Sequence, residues 1–174
     1  MSERVRTILG IDPGIALLGY GVVESRGESL AHLEHGCVAT PSGTALPARL
    51  RALYEGLSGV IRRYSITDVA MESLFHSRNV TTAVSVGQAR GVAMLATVCG
   101  DTAYAEYTPT AVKQLVTGYG RASKRQMQEM IRLLLRLDSL PTPDDAADAL
   151  AVAICHARRA DLDAIVSNAA ARAQ

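Results

Sequence analysis

Four carboxylates stand where catalysis could use them. Asp12 follows the apolar run Thr7–Ile11, and Glu72 follows Val69–Met71, so each closes a short buried strand at its C-terminal end. If those strands are parallel neighbours, both side chains leave the sheet at one edge, the usual seat of a site in an α/β fold. Asp145 and Asp148 lie three apart on an expected helix and share a face. Two carboxylates ~4 Å apart repel by about 4 kcal/mol at an effective dielectric near 20, and four stay ionised together only with positive compensation. No Lys or Arg adjoins Asp12, Glu72 or Asp148 in the chain. A divalent cation is the simplest compensation, and all-oxygen ligands select Mg²⁺ or Mn²⁺ over Zn²⁺. Two such ions ~3.5–4 Å apart clamp the attacking and leaving oxygens of an in-line phosphoryl displacement. Plainer uses exist as well. Asp144 and Asp145 in a first helical turn complement the helix dipole, and Asp12-Pro13-Gly14 is a turn former. Glu72 has the weakest alternative, because a buried strand rarely ends on an unpaired carboxylate.

The net charge of +1 hides a segregation. Residues 110–136 carry six cations (Lys113, Arg121, Lys124, Arg125, Arg132, Arg136) against Glu129, a net of +5. Residues 137–163 carry six aspartates against Arg158 and Arg159, a net of −4. The pair reads either as two solvated helix faces or as a phosphate-binding surface beside a metal-binding cluster. Of 18 basic residues only two are lysines, and both fall in the basic segment, which favours the second reading.

At 174 residues, 48% apolar and 20% charged, the chain suits one domain over 1–174 that needs neither disulfide nor structural metal. Cys37, Cys99 and Cys155 form no C-x-x-C pair, which disfavours a zinc site and a disulfide framework. The apolar stretch Val92–Cys99 is too short to cross a membrane. No apolar signal core follows Met1–Thr7, so a cytoplasmic protein is expected.

The elements that must position the carboxylates follow from periodicity and turn residues. Thr7–Asp12, Gly19–Ser25 and Ser29–Thr40 form an antiparallel meander. Leu46, Leu50, Leu53, Leu57 and Ile61 recur at helical spacing from Leu46 to Tyr64. A strand over Val69–Met71 ends at Glu72, a helix capped by Asn79 runs to about Cys99, and Ala103–Tyr107 is a fifth strand. Thr108-Pro109 opens a short helix broken by Gly118-Tyr119-Gly120. Ser123-x-x-Gln126 starts another as a capping box, with Met127, Ile131, Leu134 and Leu137 inward and Arg125, Gln128, Arg132 and Arg136 outward. Thr142-Pro143-Asp144-Asp145 starts the last helix, and the Ala-rich 160–174 is expected to fray. Together these predict a single α/β domain with a mixed five-stranded sheet flanked by helices. Gly87 and Gly91 inside a helix would each be unfavourable by ~1 kcal/mol relative to Ala, so a close backbone approach is expected there.

In order along the chain, several motifs resemble the RuvC family of Holliday-junction resolvases. They are Ile8-Leu9-Gly10-Ile11-Asp12-Pro13-Gly14 with Gly19-Tyr20-Gly21, then Glu72 with Phe75 and Asn79, and Gly87-Gln88-Ala89-Arg90-Gly91-Val92-Ala93. Val112-Lys113-Gln114, Gly118-Tyr119-Gly120, Lys124 and Asp145-Ala146-Ala147-Asp148-Ala149-Leu150-Ala151 complete the series. The resemblance spans residues 7 to 158. It implies an RNase H-like fold, a homodimer, and Mg²⁺-dependent paired cutting of four-way DNA junctions by water in recombination and repair. Mn²⁺ is expected to substitute, with two ions per site. Asp12, Glu72, Asp145 and Asp148 would be the catalytic metal ligands, Lys113 and Lys124 the DNA-contacting lysines, and Phe75 the aromatic that stacks on a base. Arg125, on the basic face, joins the DNA-binding set, and a RuvA–RuvB type branch-migration complex is the implied partner. The chain departs from the family at Ser73, where Gln is expected, and in the loop His76-Ser77-Arg78. Three alternatives are an RNase H-like nuclease acting on RNA, a non-catalytic DNA-binding module using the 110–136 basic face, which leaves Glu72 and Asp148 without a role, and an actin–hexokinase type nucleotide-binding module. The last needs two such domains and a second phosphate loop.

Overall fold

Side-chain alternation along β1 (Val5–Asp12) divides the molecule into two layers. Leu9 and Ile11 point to one side of the sheet, where they join Leu18, Val22, Val69 and Met71; Ile8 points to the other with Val23 and Ala70. The computed structural model describes residues 5–73, 80–98 and 102–172. β2 (Leu17–Arg26) and β3 (Ser29–Ala39) complete an antiparallel meander, with a register irregularity between Val22 and Val23. β4 (Asp68–Glu72) pairs parallel with β1, and β5 (Ala103–Tyr107) pairs parallel with β4. The sheet order is β3-β2-β1-β4-β5, the expected mixed RNase H-like sheet.

Helices α1 (Leu46–Arg63) and α2 (Val80–Thr97) cover the Leu9/Ile11 face. α1 buries Leu53, Leu57 and Val60, each contributing roughly 1.5–3 kcal/mol of apolar transfer. On the opposite face lie α3 (Pro109–Thr117), α4 (Lys124–Leu135) and α5 (Asp144–Arg172). The helix starts follow the sequence signals. Thr108 caps α3 through its side chain, and Ser123 and Gln126 form a reciprocal capping box on α4. Gly118, at φ 77°, ends α3 in a left-handed conformation that suits glycine.

α5 is alanine-rich and sandwiched between the sheet and helices α3 and α4, with Ala146, Ala147, Ala149, Ala151, Ala153 and Ala157 all buried. Three strand glycines let it descend onto the sheet main chain to main chain. A Cβ at Gly10 would land on the Ala149 carbonyl oxygen, one at Gly19 on the Asp145 carbonyl oxygen, and one at Gly21 within 2.7 Å of Leu150 Cδ2. No residue but glycine fits beneath this helix.

The structure refines the sequence reading in three places. α4 ends at Leu135, which is buried, whereas Leu134 and Leu137 are only half-buried at the core margin. Arg136 takes a left-handed conformation (φ 53°) as the C-cap, so the helical spacing stops one turn early. Residues 160–172 continue α5 rather than fray. Among the described residues nothing lies within 4 Å of a Cβ placed at Gly87 or Gly91, so the close approach expected at these glycines is not made there by a strand of this chain. The proposed Asn79 cap and Cys99 terminus of α2 fall outside the described residues. Among the described residues, no helix is long and apolar enough to cross a membrane.

Candidate active site

The sheet register places the first two carboxylates. Ile11 pairs with Met71 across the parallel β1–β4 ladder, so Asp12 and Glu72, one residue further on, sit side by side at the C-terminal sheet edge. The third arrives through the glycine seat. Asp12 pairs with Gly19, and Gly19 lies directly under the Asp145 main chain. Asp148 follows one turn later on the same helical face. Sheet and helix thus contribute two carboxylates each.

The electrostatics bear out that convergence. Burial pushes the Asp12 carboxyl up from 3.8 to about 7, and the negative charges of Glu72, Asp148 and Asp145 push it the same way; Lys124 opposes them. Glu72 is raised by burial and then by Asp148, with Lys113 pulling it back. Asp148 is raised by burial against the opposing charge of Lys124, with Asp145 and Asp144 raising it further.

Lys113 and Lys124 face this cluster. Both line a cleft of about 260 Å³ together with Glu72, Pro109, Val112, Met127, Asp148 and Ala151. The Lys124 ammonium lies 3.0 Å from Asp144 Oδ2 and 3.7 Å from Asp148 Oδ2. A cation distant in sequence therefore folds in where none adjoins the carboxylates along the chain. The Asp148 side chain stays 45% exposed, so this pair is solvent-screened and weak.

The donor set of hard carboxylate oxygens, crowded and partly desolvated, fits Mg²⁺ or Mn²⁺ in chemistry. Glu72 and Asp148 line the cleft, whereas Asp145 lines a neighbouring hollow with Gly14, Leu17 and Val86; among the described residues, no three His, Cys, Asp or Glu groups stand so as to hold one ion together.

Of the other expected site residues, Arg125 is exposed and lines a separate groove of about 680 Å³ with Tyr119, Gln126, Met130 and Leu133. The structure does not bring it into the carboxylate cleft. Phe75 lies outside the described residues. His156 is a packing residue: it bridges Asp68 (3.1 Å) and the Tyr107 hydroxyl (2.8 Å) in the core.

Two participants were passed over in the sequence. Asp144 anchors Lys124 and accepts a hydrogen bond from Gln128 at 3.0 Å; its first-turn position masked it as a dipole-complementing acid. Arg90, from α2, donates to the Glu72 main-chain carbonyl at 2.7 Å from behind the sheet. The signal available for it was a lone arginine among glycine and alanine on an otherwise uncharged helix.

Comparison with known proteins agrees with this arrangement. A family model described as crossover junction endodeoxyribonuclease RuvC matches residues 8–156. The RuvC of Rubrobacter xylanophilus is 55% identical over 156 residues, covering 90% of this chain and 87% of that one. Thermus thermophilus RuvC, solved in complex with Holliday junction substrate, superposes with a TM-score of 0.87 at 33% identity, over 91% of this chain and 96% of the other. The yeast mitochondrial Holliday junction resolvase Ydc2 shares the fold, with a TM-score of 0.66 at 13% identity over 94% and 84% of the two chains. The site-bearing stretch from β1 into α5 is therefore common to this chain and its relatives, and the chain belongs to the RuvC family of crossover junction endodeoxyribonucleases.

Proposed function

We propose that this chain resolves four-way DNA junctions by paired, symmetric hydrolytic cuts, acting as one nuclease domain in the cytoplasm. The observation that carries the reading is the meeting of Asp12, Glu72, Asp145 and Asp148 at one sheet edge, beside a cleft lined by Glu72, Asp148, Lys113 and Lys124. Identity of 55% to a crossover junction endodeoxyribonuclease favours a DNA junction over the RNA and nucleotide-binding alternatives.

Asp12, Glu72, Asp145 and Asp148 are the residues that would hold Mg²⁺, as two ions, with Mn²⁺ as a substitute. Metal ions in such a carboxylate cluster activate water and neutralise charge developing on the phosphate. Each side chain has a definable task. Asp12 and Glu72, fixed by the β-ladder, set the floor of the site; Asp145 and Asp148 close it from α5. For Asp148 to serve as a ligand it must give up Lys124, which is then free to take a DNA phosphate alongside Lys113. Arg125 extends that backbone grip around the outer side of α4, and Phe75 supplies base stacking at the crossover.

Two symmetric cuts require two sites related by a twofold axis. A second copy would dock on α2 and the residue that follows it, where Val84, Leu95 and Val98 are 55%, 62% and 71% exposed and open space surrounds Gly87 and Gly91 between them. Those five positions form a single helical stripe, apolar at its ends and small at its middle, which suits close helix-on-helix packing. A RuvA–RuvB type complex would deliver the junction.

The test is cleavage of an end-labelled synthetic four-way junction and of a linear duplex with the same arm sequences, in Mg²⁺ and in EDTA. Paired nicks in opposing strands of the junction, only with Mg²⁺, are expected. Equal cutting of the duplex, or cutting in EDTA, rejects the proposal.

A further inference from the structure

The Gly87–Ala93 motif of α2 has no part in the chemistry above, yet its arginine reaches the site from the far side of the sheet. Arg90 is 9% exposed. One guanidinium nitrogen donates to the Glu72 carbonyl oxygen at 2.7 Å. The other pairs with Glu106 and reaches the Tyr104 hydroxyl at 3.4 Å, both on β5. Ala89 and Ala93, fully buried, seat α2 against the sheet on either side of this residue.

The position of that carbonyl explains why a side chain is needed there. The β1–β4 ladder ends at the Ile11–Met71 pair. Beyond it Glu72 pairs only toward β5, where Tyr107 O accepts from the Ser73 amide at 2.8 Å. The last peptide of β4, the one that carries the Glu72 side chain, thus lies beside Asp12 but beyond the last β1–β4 ladder pair. A planar fork holds two points at a fixed separation, so Arg90 ties this peptide to β5 through Glu106 and Tyr104. Its charge is spent on Glu106, and the groups whose charge reaches the Glu72 carboxyl are Asp148 and Lys113. The effect of Arg90 on the site is mechanical.

We infer that Arg90 is a positioning residue for Glu72: by bonding its main-chain carbonyl, Arg90 fixes the height of the Glu72 carboxylate at the strand end, and through it the metal affinity of the site. Catalytic constellations tolerate misplacement of only about 0.5 Å, and loss of an outer partner of a ligating side chain typically lowers metal affinity or activity 10–100-fold. The inference rests on the metal-ligand reading of Glu72.

The experiment compares wild type, Arg90→Gln and Arg90→Lys in three measurements: Mn²⁺ binding by calorimetry without DNA, the kcat and KM of junction cleavage in Mg²⁺, and junction Kd in Ca²⁺. Arg90→Gln is expected to lower Mn²⁺ affinity and kcat by roughly 10–100-fold with KM and junction Kd within threefold of wild type. Arg90→Lys, which keeps one donor but not the fork, should recover part of both losses. Mn²⁺ affinity and kcat within twofold of wild type for Arg90→Gln overturn the inference. So does a loss confined to junction Kd. Should Arg90→Gln not fold, Arg90→Lys alone decides: unchanged Mn²⁺ affinity and kcat overturn the inference. Wild-type protein that binds no Mn²⁺ rejects the metal-site reading itself, a result distinct from binding that is indifferent to residue 90.

Discussion

Asp12 carries the clearest energetic signature of the site, because folding holds its proton up to about pH 7 against an ordinary value of 3.8. A carboxyl raised in the folded state destabilises the protein once ionised. That penalty is absent below pH ~4, grows as pH rises toward 7, and is complete above it. Asp12→Asn is therefore expected to raise the stability of the metal-free protein at pH 8 by ~1–2 kcal/mol, a few degrees in melting temperature, and, on the proposed metal-ligand role, to abolish cutting. Thermal unfolding in EDTA at pH 8 and pH 4.5 checks this: the gain must shrink at the lower pH. A variant no more stable than wild type at pH 8 contradicts the burial and charge crowding described for Asp12. Residue types and chain positions made Asp12, Glu72, Asp145 and Asp148 visible in the sequence. Hidden were the partners that reach them through space. Lys124 joins Asp148 across 24 positions, and Arg90 reaches Glu72 through the sheet; no spacing rule encodes either.

Elements were legible where local physics decides them. The capping box at Ser123, the Pro109 start and the left-handed Gly118 each carry their own signal, and the structure places them as read. Where packing decides, the sequence was silent. Leu135 rather than Leu134 is buried because the face of α4 that meets the core runs through Met127, Ile131 and Leu135 at four-residue steps, and α5 continues beyond residue 160 as a helix. The seat of α5 on Gly10, Gly19 and Gly21 is also tertiary information: the motif Gly19-Tyr20-Gly21 shows two small residues but not what lies on them. Gly19→Ala is the direct test. Its methyl would collide with the Asp145 carbonyl, and since backbone cannot change rotamer, the helix must lift. A loss of ~1–3 kcal/mol in urea unfolding is expected, with single-turnover cleavage falling further as Asp145 and Asp148 move with the helix. Unchanged stability would mean the seat is looser than the geometry indicates.

At the scale of the whole molecule, the exposed stripe on α2 is the feature that one chain leaves unresolved. Sequence reading expected Gly87 and Gly91 to face something close; within the chain they face open space, with Leu95 and Val98 continuing the stripe. The same stripe accounts for why α2 could not be read from periodicity alone, since apolar residues lie on both its faces. Leu95→Glu, placing a charge in the apolar end of the proposed twofold contact, should shift the protein to monomer in sedimentation velocity and reduce paired nicking to single nicks. A dimer unperturbed by that change would locate the contact elsewhere. The layered origin of the carboxylates has one more consequence. Half of them come from strands laid down early in the chain and half from its last helix, which is itself held by the core from Ala146 to Ala157. No fragment, and no partly unfolded form in which that helix has detached, possesses the complete set. On the proposed metal-ligand reading of the four carboxylates, competence to cut begins and ends with the finished fold.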